Sequence, residues 1–207
     1  MKTTAYAIVF GTLTLVAVGR AGAEIIDGIN WADDVYSYSA NIQNYGGELM
    51  TPSTEWWLTG PPDADCNGNG YAWDPGDQDT VAGWRAAMPD EYVTMYWETG
   101  IPDLAGEDLV IRLHGGPSAA ADVFASVDGG VFGFIGAIGG GTPGYFRDEA
   151  FDFAGLFAES VHYVKVLRTT SGPQTGMFFD AFGGNVPEPS SLALMVLAVL
   201  AWGHRKT

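Results

Sequence analysis

The stretch VHYVKVLRTTSG, residues 161–172, gives the clearest indication of the fold. Within it, Val164 and Val166 alternate with Tyr163 and Lys165. This two-residue period is typical of a β-strand that turns one face to an apolar core and the other to water. The stretch therefore predicts a half-buried strand in a sheet.

The sequence ADVFASVDGGVFGFIG, residues 121–136, predicts two strands joined by a tight turn at 128–130. Other short segments rich in β-branched and aromatic residues recur between clusters of turn-forming residues, and their spacing is that of a β-sandwich. We expect no helix between them beyond a turn or so within 150–160. The fold class predicted is all-β, an antiparallel β-sandwich. The predicted strands are 35–39, 55–59, 92–97, 109–113, 122–127, 131–135, 161–167 and 177–182.

The composition predicts one folded domain with an acidic surface. The 207 residues include 29 Gly and 11 Pro, which favour turns over long helices. Lys and Arg number 9 against 25 Asp and Glu, a net charge of -16, so the surface should repel phosphate backbones and the chain should not bind nucleic acid. Hydrophobic residues make up 47%, enough for a core. The single cysteine, Cys66, can form neither an internal disulfide nor a thiolate metal cluster.

Residues 1–23 have the pattern of a secretory signal peptide. Lys2 precedes an apolar run over 5–18, and small residues over 21–23 fit the pocket of signal peptidase. We expect cleavage of this signal helix after Ala23 and export of the remainder. A retained membrane anchor is the alternative, although the apolar run is short and a cleavage pattern follows it.

The sequence ends in VPEPSSLALMVLAVLAWGHRKT, residues 186–207. A Pro-Glu-Pro triplet precedes an apolar run over 192–202 and a basic tip over 204–206. The prolines keep the preceding segment extended, the apolar run can enter a bilayer as a hydrophobic helix, and the cationic tip stays on the cytoplasmic side. Because the run is shorter than the roughly 20 residues that span a bilayer, we predict a transient membrane tether. A plain C-terminal membrane helix is the alternative.

This tail closely resembles the PEP-CTERM sorting signal of Gram-negative bacteria that make exopolysaccharide. The resemblance implies that an exosortase recognises Pro187, Glu188 and Pro189, removes the tail, and releases or transfers the rest of the chain to the cell envelope or extracellular matrix. These three residues would then be a substrate site for the exosortase. The region between the two ends, 24–185, is predicted to be a single exported domain.

The second half of that domain resembles another family. The stretches 121–136 and 161–172, followed by MFFDAFGG at 177–184, look like the closing half of a discoidin-like, galactose-binding-like jelly roll. The resemblance implies a jelly-roll-like sandwich over 24–185. An immunoglobulin-like sandwich is the alternative, since such hairpins occur in any antiparallel sheet.

A loop rich in Asp, Asn and Gly, residues 63–79, is a candidate metal site. Side-chain oxygens at alternating positions with glycines between them are the ligands that Ca²⁺ favours, and the loop is similar to calcium loops of dockerins and thrombospondin-type repeats. The alternative is a solvated acidic loop. The candidate ligands of Ca²⁺ are Asp63, Asp65, Asn67, Asn69, Asp74 and Asp77.

Two tryptophans lie at this loop, Trp57 before it and Trp73 within it, and we predict that they are exposed and bind sugar rings, the alternative being burial in the core. The histidines of the domain, His114 and His162, have no spacing suggestive of a metal site or a catalytic triad. The sequence thus predicts a non-catalytic module that binds polysaccharide, with exopolysaccharide as a candidate partner. The alternatives are a structural matrix component without a discrete ligand site and a secreted glycoside hydrolase.

Overall fold

The computed structural model describes residues 25–26, 28–63, 69–72, 80–85, 90–142 and 144–185. Over these ranges the regular structure consists of β-strands and a 3₁₀ turn at Glu55–Leu58. The strands are β1 (Ile25–Ile26), β2 (Ile29–Trp31), β3 (Asp34–Tyr38), β4 (Ala82–Trp84), β5 (Tyr92–Ile101), β6 (Leu109–Gly115), β7 (Ala121–Ser126), β8 (Gly133–Ile138), β9 (Arg147–Phe151), β10 (Val161–Arg168) and β11 (Met177–Asn185).

The strands form two antiparallel sheets that pack face to face. The front sheet has the order β1-β2-β11-β6-β9, with β4 also paired to β11, and the back sheet has the order β3-β5-β10-β7-β8. The four strands β2-β11-β6-β9 of one sheet and β5-β10-β7-β8 of the other have the order of an eight-stranded jelly roll. The predicted jelly-roll-like β-sandwich is therefore confirmed, and the immunoglobulin-like alternative is wrong.

The apolar core lies between the two sheets. On β10, Val164 and Val166 are buried in it, whereas Tyr163 and Lys165 lie on the outer face, as the alternation predicts. Each large apolar side chain that leaves water contributes about 1.5–3 kcal/mol, so the core supplies most of the stability. Its largest fully buried apolar members include Trp84, Trp97, Phe153, Phe179 and Phe182.

A buried arginine joins the sheets at one end of the sandwich. Arg168, the last residue of β10, donates a hydrogen bond from Nη1 to Oε2 of Glu91 at 2.8 Å, and both side chains are buried. The same guanidinium donates to the carbonyl oxygens of Arg85 at 2.6 Å and Thr175 at 3.2 Å. Since Arg85 follows β4 and Thr175 precedes β11, a residue of the back sheet holds two segments of the front sheet.

Two local predictions are wrong. Residues 55–59 do not form a strand, because Trp57 and Leu58 are both buried, and a single 3₁₀ turn can bury two consecutive side chains where a strand would alternate them. The expected turn of helix within 150–160 is absent, since the chain leaves β9 after Phe151 through turns and bends. The strands β1, β2, β4 and β9 escape prediction because they are short, and β9 also begins with three charged residues.

Several predictions lie outside the described residues. These are the signal peptide (1–23), the sorting signal (186–207) with both terminal hydrophobic helices, and Cys66. Within the part of the chain that the structure describes, no helix has the length and apolar character needed to cross a bilayer.

We predict that Glu91→Ala lowers the free energy of unfolding by about 3–5 kcal/mol, because Arg168 would stay buried without its carboxylate. Urea denaturation measures the change. The matched control is Glu98→Ala, which removes an exposed carboxylate from β5 and is expected to cost less than about 0.5 kcal/mol. Equal effects of the two substitutions would show that the buried pair does not stabilise the fold.

Candidate functional site

A groove with a volume of about 470 Å³ opens on the outer face of the front sheet. This volume lies in the range of small-molecule sites, roughly 300–1,000 Å³. The groove runs over β6 and β11 and is bounded by the chain after β4 and by the loops that follow β6 and precede β11. Its lining comprises Tyr45, Arg85, His114, Gly115, Gly116, Pro117, Gly144, Gln174, Gly176 and Phe178.

Aromatic rings form the floor and one side of the groove. Phe178 on β11 and His114 on β6 are a cross-strand pair, and their rings stack with centroids 5.3 Å apart and planes inclined by 11°. Both lie on the outer face because their neighbours Leu113 and Phe179 point into the core. The Tyr45 ring packs on both, with centroids 5.1 Å from Phe178 and 5.7 Å from His114.

Tyr45 reaches the groove through an added β-bridge. Gln43 exchanges two backbone hydrogen bonds with Gly83 of β4, at 2.8 and 2.9 Å, so this segment extends the front sheet beyond β4. Tyr45 follows two residues later and is half-buried, with part of its ring accessible. Burial raises the pKa of its hydroxyl, while the charge of Arg85 acts in the opposite direction.

His114 is held as a neutral imidazole beneath the groove. Its side chain is almost completely buried, and this burial, together with the nearby charge of Arg147, lowers its pKa to about 4. Nε2 is buried and has no hydrogen-bond partner in the described part of the chain. A buried polar atom without a partner costs about 1–3 kcal/mol.

Arg85 lies at the edge of the groove and is fixed at both ends. Its carbonyl oxygen accepts the hydrogen bond from Arg168, and its own Nη2 donates to the carbonyl oxygen of Tyr45. The guanidinium carbon lies 5.7 Å from the centroid of the Tyr45 ring, in a cation–π contact. The charged group is exposed, yet it is positioned before any ligand arrives.

Backbone forms the remaining wall of the groove. Gly116 donates to the carbonyl oxygen of Gly176 at 2.9 Å, and a Cβ at Gly116 would lie 2.0 Å from the carbonyl oxygen of Gln174. Glycine is therefore required at 116. Gln174 itself adopts a left-handed conformation with φ of 62°, which is uncommon for a residue with a side chain and costs about 1–3 kcal/mol.

A second aromatic surface lies on the outer face of the back sheet. Tyr36 is 58% exposed, and its ring meets that of Tyr163 at 4.9 Å with an interplanar angle of 72°. Tyr96 meets Tyr163 at 5.2 Å and 44°. Because these rings are tilted against one another, they do not form a coplanar platform.

Of the two tryptophans predicted to be exposed and to bind sugar, only Trp57 lies in the part of the chain that the structure describes. Trp57 is only 3% exposed and belongs to the core, so the prediction that it is exposed is wrong. The 3₁₀ turn points its neighbour Trp56 outward, with 52% of that residue exposed. Trp73 lies outside the described residues.

Of the predicted calcium ligands, Asp63 and Asn69 are described, whereas Asp65, Asn67, Asp74 and Asp77 lie outside the described residues. The amide of Asp63 donates to Oδ1 of Asp180 at 3.2 Å, and burial raises the pKa of the Asp63 carboxyl. Asn69 Oδ1 accepts from the amide of Tyr71 at 2.6 Å. No group of three His, Cys, Asp or Glu within the described ranges could hold a metal ion. Calcium binding by the loop stays a prediction.

Sequence reasoning missed most of the groove. Tyr45, Arg85 and Phe178 were not candidates, and His114 carried no expected role. One signal was available, because the run Met177–Phe178–Phe179 in a predicted strand must turn one large apolar side chain away from the core. The partners of that side chain depend on which strands are neighbours.

No protein-family model matches the sequence, and no curated protein matches it. Solved structures with a similar fold include CBM32-1 from a family 31 glycoside hydrolase of Clostridium perfringens, at 12% identity and a TM-score of 0.38, covering 63% of this chain and 89% of that one. A family 29 carbohydrate-binding module is similar at 8% identity and a TM-score of 0.40, over 83% of this chain and 92% of the other. Because these TM-scores are low, the assignment of a jelly roll comes from the strand pairing observed in this chain.

We predict that acid destabilises the protein partly through His114. Its pKa in the fold, about 4, lies below the ordinary 6.5, so between these values the unfolded chain binds a proton that the folded chain does not. The stability from a neutral His114 is therefore complete above 6.5 and is lost as the pH falls towards 4, by roughly 3 kcal/mol. Urea denaturation of the wild type and of His114→Phe across this interval measures it. A parallel loss in both proteins would contradict the assignment.

Proposed function

We propose that this chain is an exported, non-catalytic polysaccharide-binding module and that the groove on the front sheet is its saccharide site. The observation that carries the proposal is the groove itself, where the accessible Tyr45 ring stands beside polar groups that converge from three segments of the chain. A concave site with an apolar lining and a few placed polar groups is the usual form of a small-ligand site.

The groove offers both kinds of contact that a sugar ring makes. A sugar has apolar faces of C–H groups, which pack on aromatic rings, and hydroxyl groups, which exchange hydrogen bonds. Tyr45 supplies an aromatic ring, while Arg85, Gln174 and the glycine backbone supply donors and acceptors. Because glycines line one wall, a ligand can approach the backbone closely there.

The back-sheet surface is a weaker candidate. Tyr36 and Tyr163 meet edge-on, and Tyr96 and Tyr163 are tilted against each other, so neither pair presents a coplanar surface to a sugar ring. A glycoside hydrolase would need a pair of carboxylates on either side of the glycosidic bond that it cleaves, and the described lining of the groove contains no Asp or Glu.

Export and sorting are part of the proposal and rest on the sequence of the two ends. Signal peptidase would remove residues 1–23, and an exosortase would recognise Pro187, Glu188 and Pro189 after transient membrane tethering. The product would act at the cell envelope or in the extracellular matrix of a Gram-negative bacterium, with exopolysaccharide as its partner.

We predict that Tyr45→Ala weakens binding to the polysaccharides that the wild-type chain binds by about tenfold or more. The reason is that a central aromatic contact is typically worth at least about 1.4 kcal/mol. Affinity electrophoresis of the purified chain through gels containing a panel of neutral and acidic polysaccharides measures the change. The matched control is Tyr36→Ala, which removes an exposed tyrosine from the back sheet and is expected to bind like the wild type.

Two results would contradict this assignment. Loss of binding in Tyr36→Ala with Tyr45→Ala unaffected would move the saccharide site to the back sheet. Absence of retardation in every gel would favour a structural role without a discrete ligand.

We predict that replacing Pro187, Glu188 and Pro189 together by Ala abolishes removal of the C-terminal tail, because these residues are the proposed recognition motif. Pulse-chase labelling in an exosortase-bearing host would show the precursor persisting. The neighbouring double substitution Ser190→Ala, Ser191→Ala is the control and should be processed normally. Unchanged processing of the triple variant would show that the tail is not sorted through this motif.

A further inference from the structure

The domain contains five basic residues, and Arg85 differs from the other three arginines in its partners. Arg168 pairs with Glu91, and Arg147 pairs with Glu149 at 2.7 Å. Arg112 lies near both Asp148 and Asp180, and Lys165 packs over the ring of Tyr92 on the back sheet. Arg85 is exposed, and none of the carboxylates that the structure describes lies within ion-pair distance of it.

Arg85 lines the groove, and two further arginines of the front sheet lie near its aromatic floor but outside its lining. Arg85 contacts the Tyr45 ring, and Arg112 lies 5.5 Å from the centroid of the Phe146 ring, which packs edge-on against His114 at 5.4 Å. Arg147 is near enough to disfavour a charge on His114. In a chain with 25 acidic residues, the described lining of this groove has one cation and no anion. Over its described lining, the groove therefore has the opposite sign to the net charge of the protein.

We infer that the ligand of the groove is a saccharide unit that carries one carboxylate, a uronic acid, whose carboxylate pairs with Arg85 while its ring packs against Tyr45. The inference rests on the proposed saccharide-binding function and names the class of sugar. A guanidinium presents two parallel N–H donors that match the two oxygens of a carboxylate, which gives both strength and orientation.

The net charge of the protein limits the ligand to a sparsely charged one. Beyond about 8 Å at physiological ionic strength, the acidic surface is screened, so a single carboxylate inside the groove experiences mainly Arg85 and its neighbours. A densely charged polyuronate would also place carboxylates against the acidic surface outside the groove and be repelled. The fitting ligand is an isolated or terminal uronate in an otherwise neutral glycan.

The test measures binding of sodium D-glucuronate and sodium D-galacturonate to the purified full chain, against their methyl esters, by ligand-observed NMR at about 0.15 M salt. The esters keep the shape of the acids and remove the charge. The wild type should bind at least one acid about tenfold more tightly than its ester, since hydrogen bonds to a charged acceptor are stronger than those to a neutral one.

Variants assign the effect to Arg85. Arg85→Gln should reduce the ratio of acid affinity to ester affinity to about one. Arg85→Lys keeps the charge but loses the two parallel N–H donors, and it should leave an intermediate ratio. Lys165→Gln removes one cation from the back sheet and should leave the ratio unchanged. Thermal denaturation of each variant confirms that it is folded.

The outcomes separate this inference from the proposed function. Equal binding of acids and esters, or binding of acids that survives Arg85→Gln, would overturn the uronate assignment and leave a saccharide site in place. Binding of a neutral polysaccharide that depends on Tyr45, with no binding of either acid, would also overturn the uronate assignment and leave the saccharide site in place. Failure of every sugar and every polysaccharide would overturn the proposed function together with this inference.

Discussion

Arg168 ends the central strand of the back sheet with its guanidinium out of water. A buried cation is tolerated when each of its donors has a partner, and here all five N–H groups do: one is bound by the Glu91 carboxylate and four by oxygens of Thr170, Arg85 and Thr175. Three of these oxygens belong to backbone, so the guanidinium sets the path of the chain. Arg85 and Thr175 stand at the two sides where the groove is bounded, which makes the shape of the groove depend on this buried charge.

Much of the fold follows from local sequence because burial of one sheet face imposes a period of two. This period is clear around Val164 and Val166 and in the hairpin at 121–136, and both stretches form the predicted strands. The period fails where burial is not alternating. At Glu55–Leu58 the aromatic content resembles that of a strand, yet a tight turn packs Trp57 and Leu58 together into the core. Short elements such as β4 are positioned by their pairing with β11, and they are too short to show a two-residue period in the sequence.

The site could not be derived in the same way, since it depends on long-range pairing. Tyr45, Arg85, His114 and Phe178 are widely separated in the chain and meet because the jelly roll places β6 and β4 on either side of β11. No local pattern shows which strand is the neighbour of which. The exposure of a tryptophan is equally non-local, and for this reason the residue chosen from its position beside the acidic loop, Trp57, is a core residue.

The state of His114 determines how the charge of the groove responds to pH. Burial, together with the charge of Arg147, lowers the pKa of this imidazole well below the usual range of histidine, so it adds no charge near neutrality. The positive charge at the groove then comes from arginines, which stay protonated at all physiological pH values. A uronate is likewise ionised throughout this range, because carboxyl groups lose their proton near pH 4. The electrostatic contribution to binding is therefore set by the charge of the sugar and by salt, with pH acting mainly through the stability of the fold.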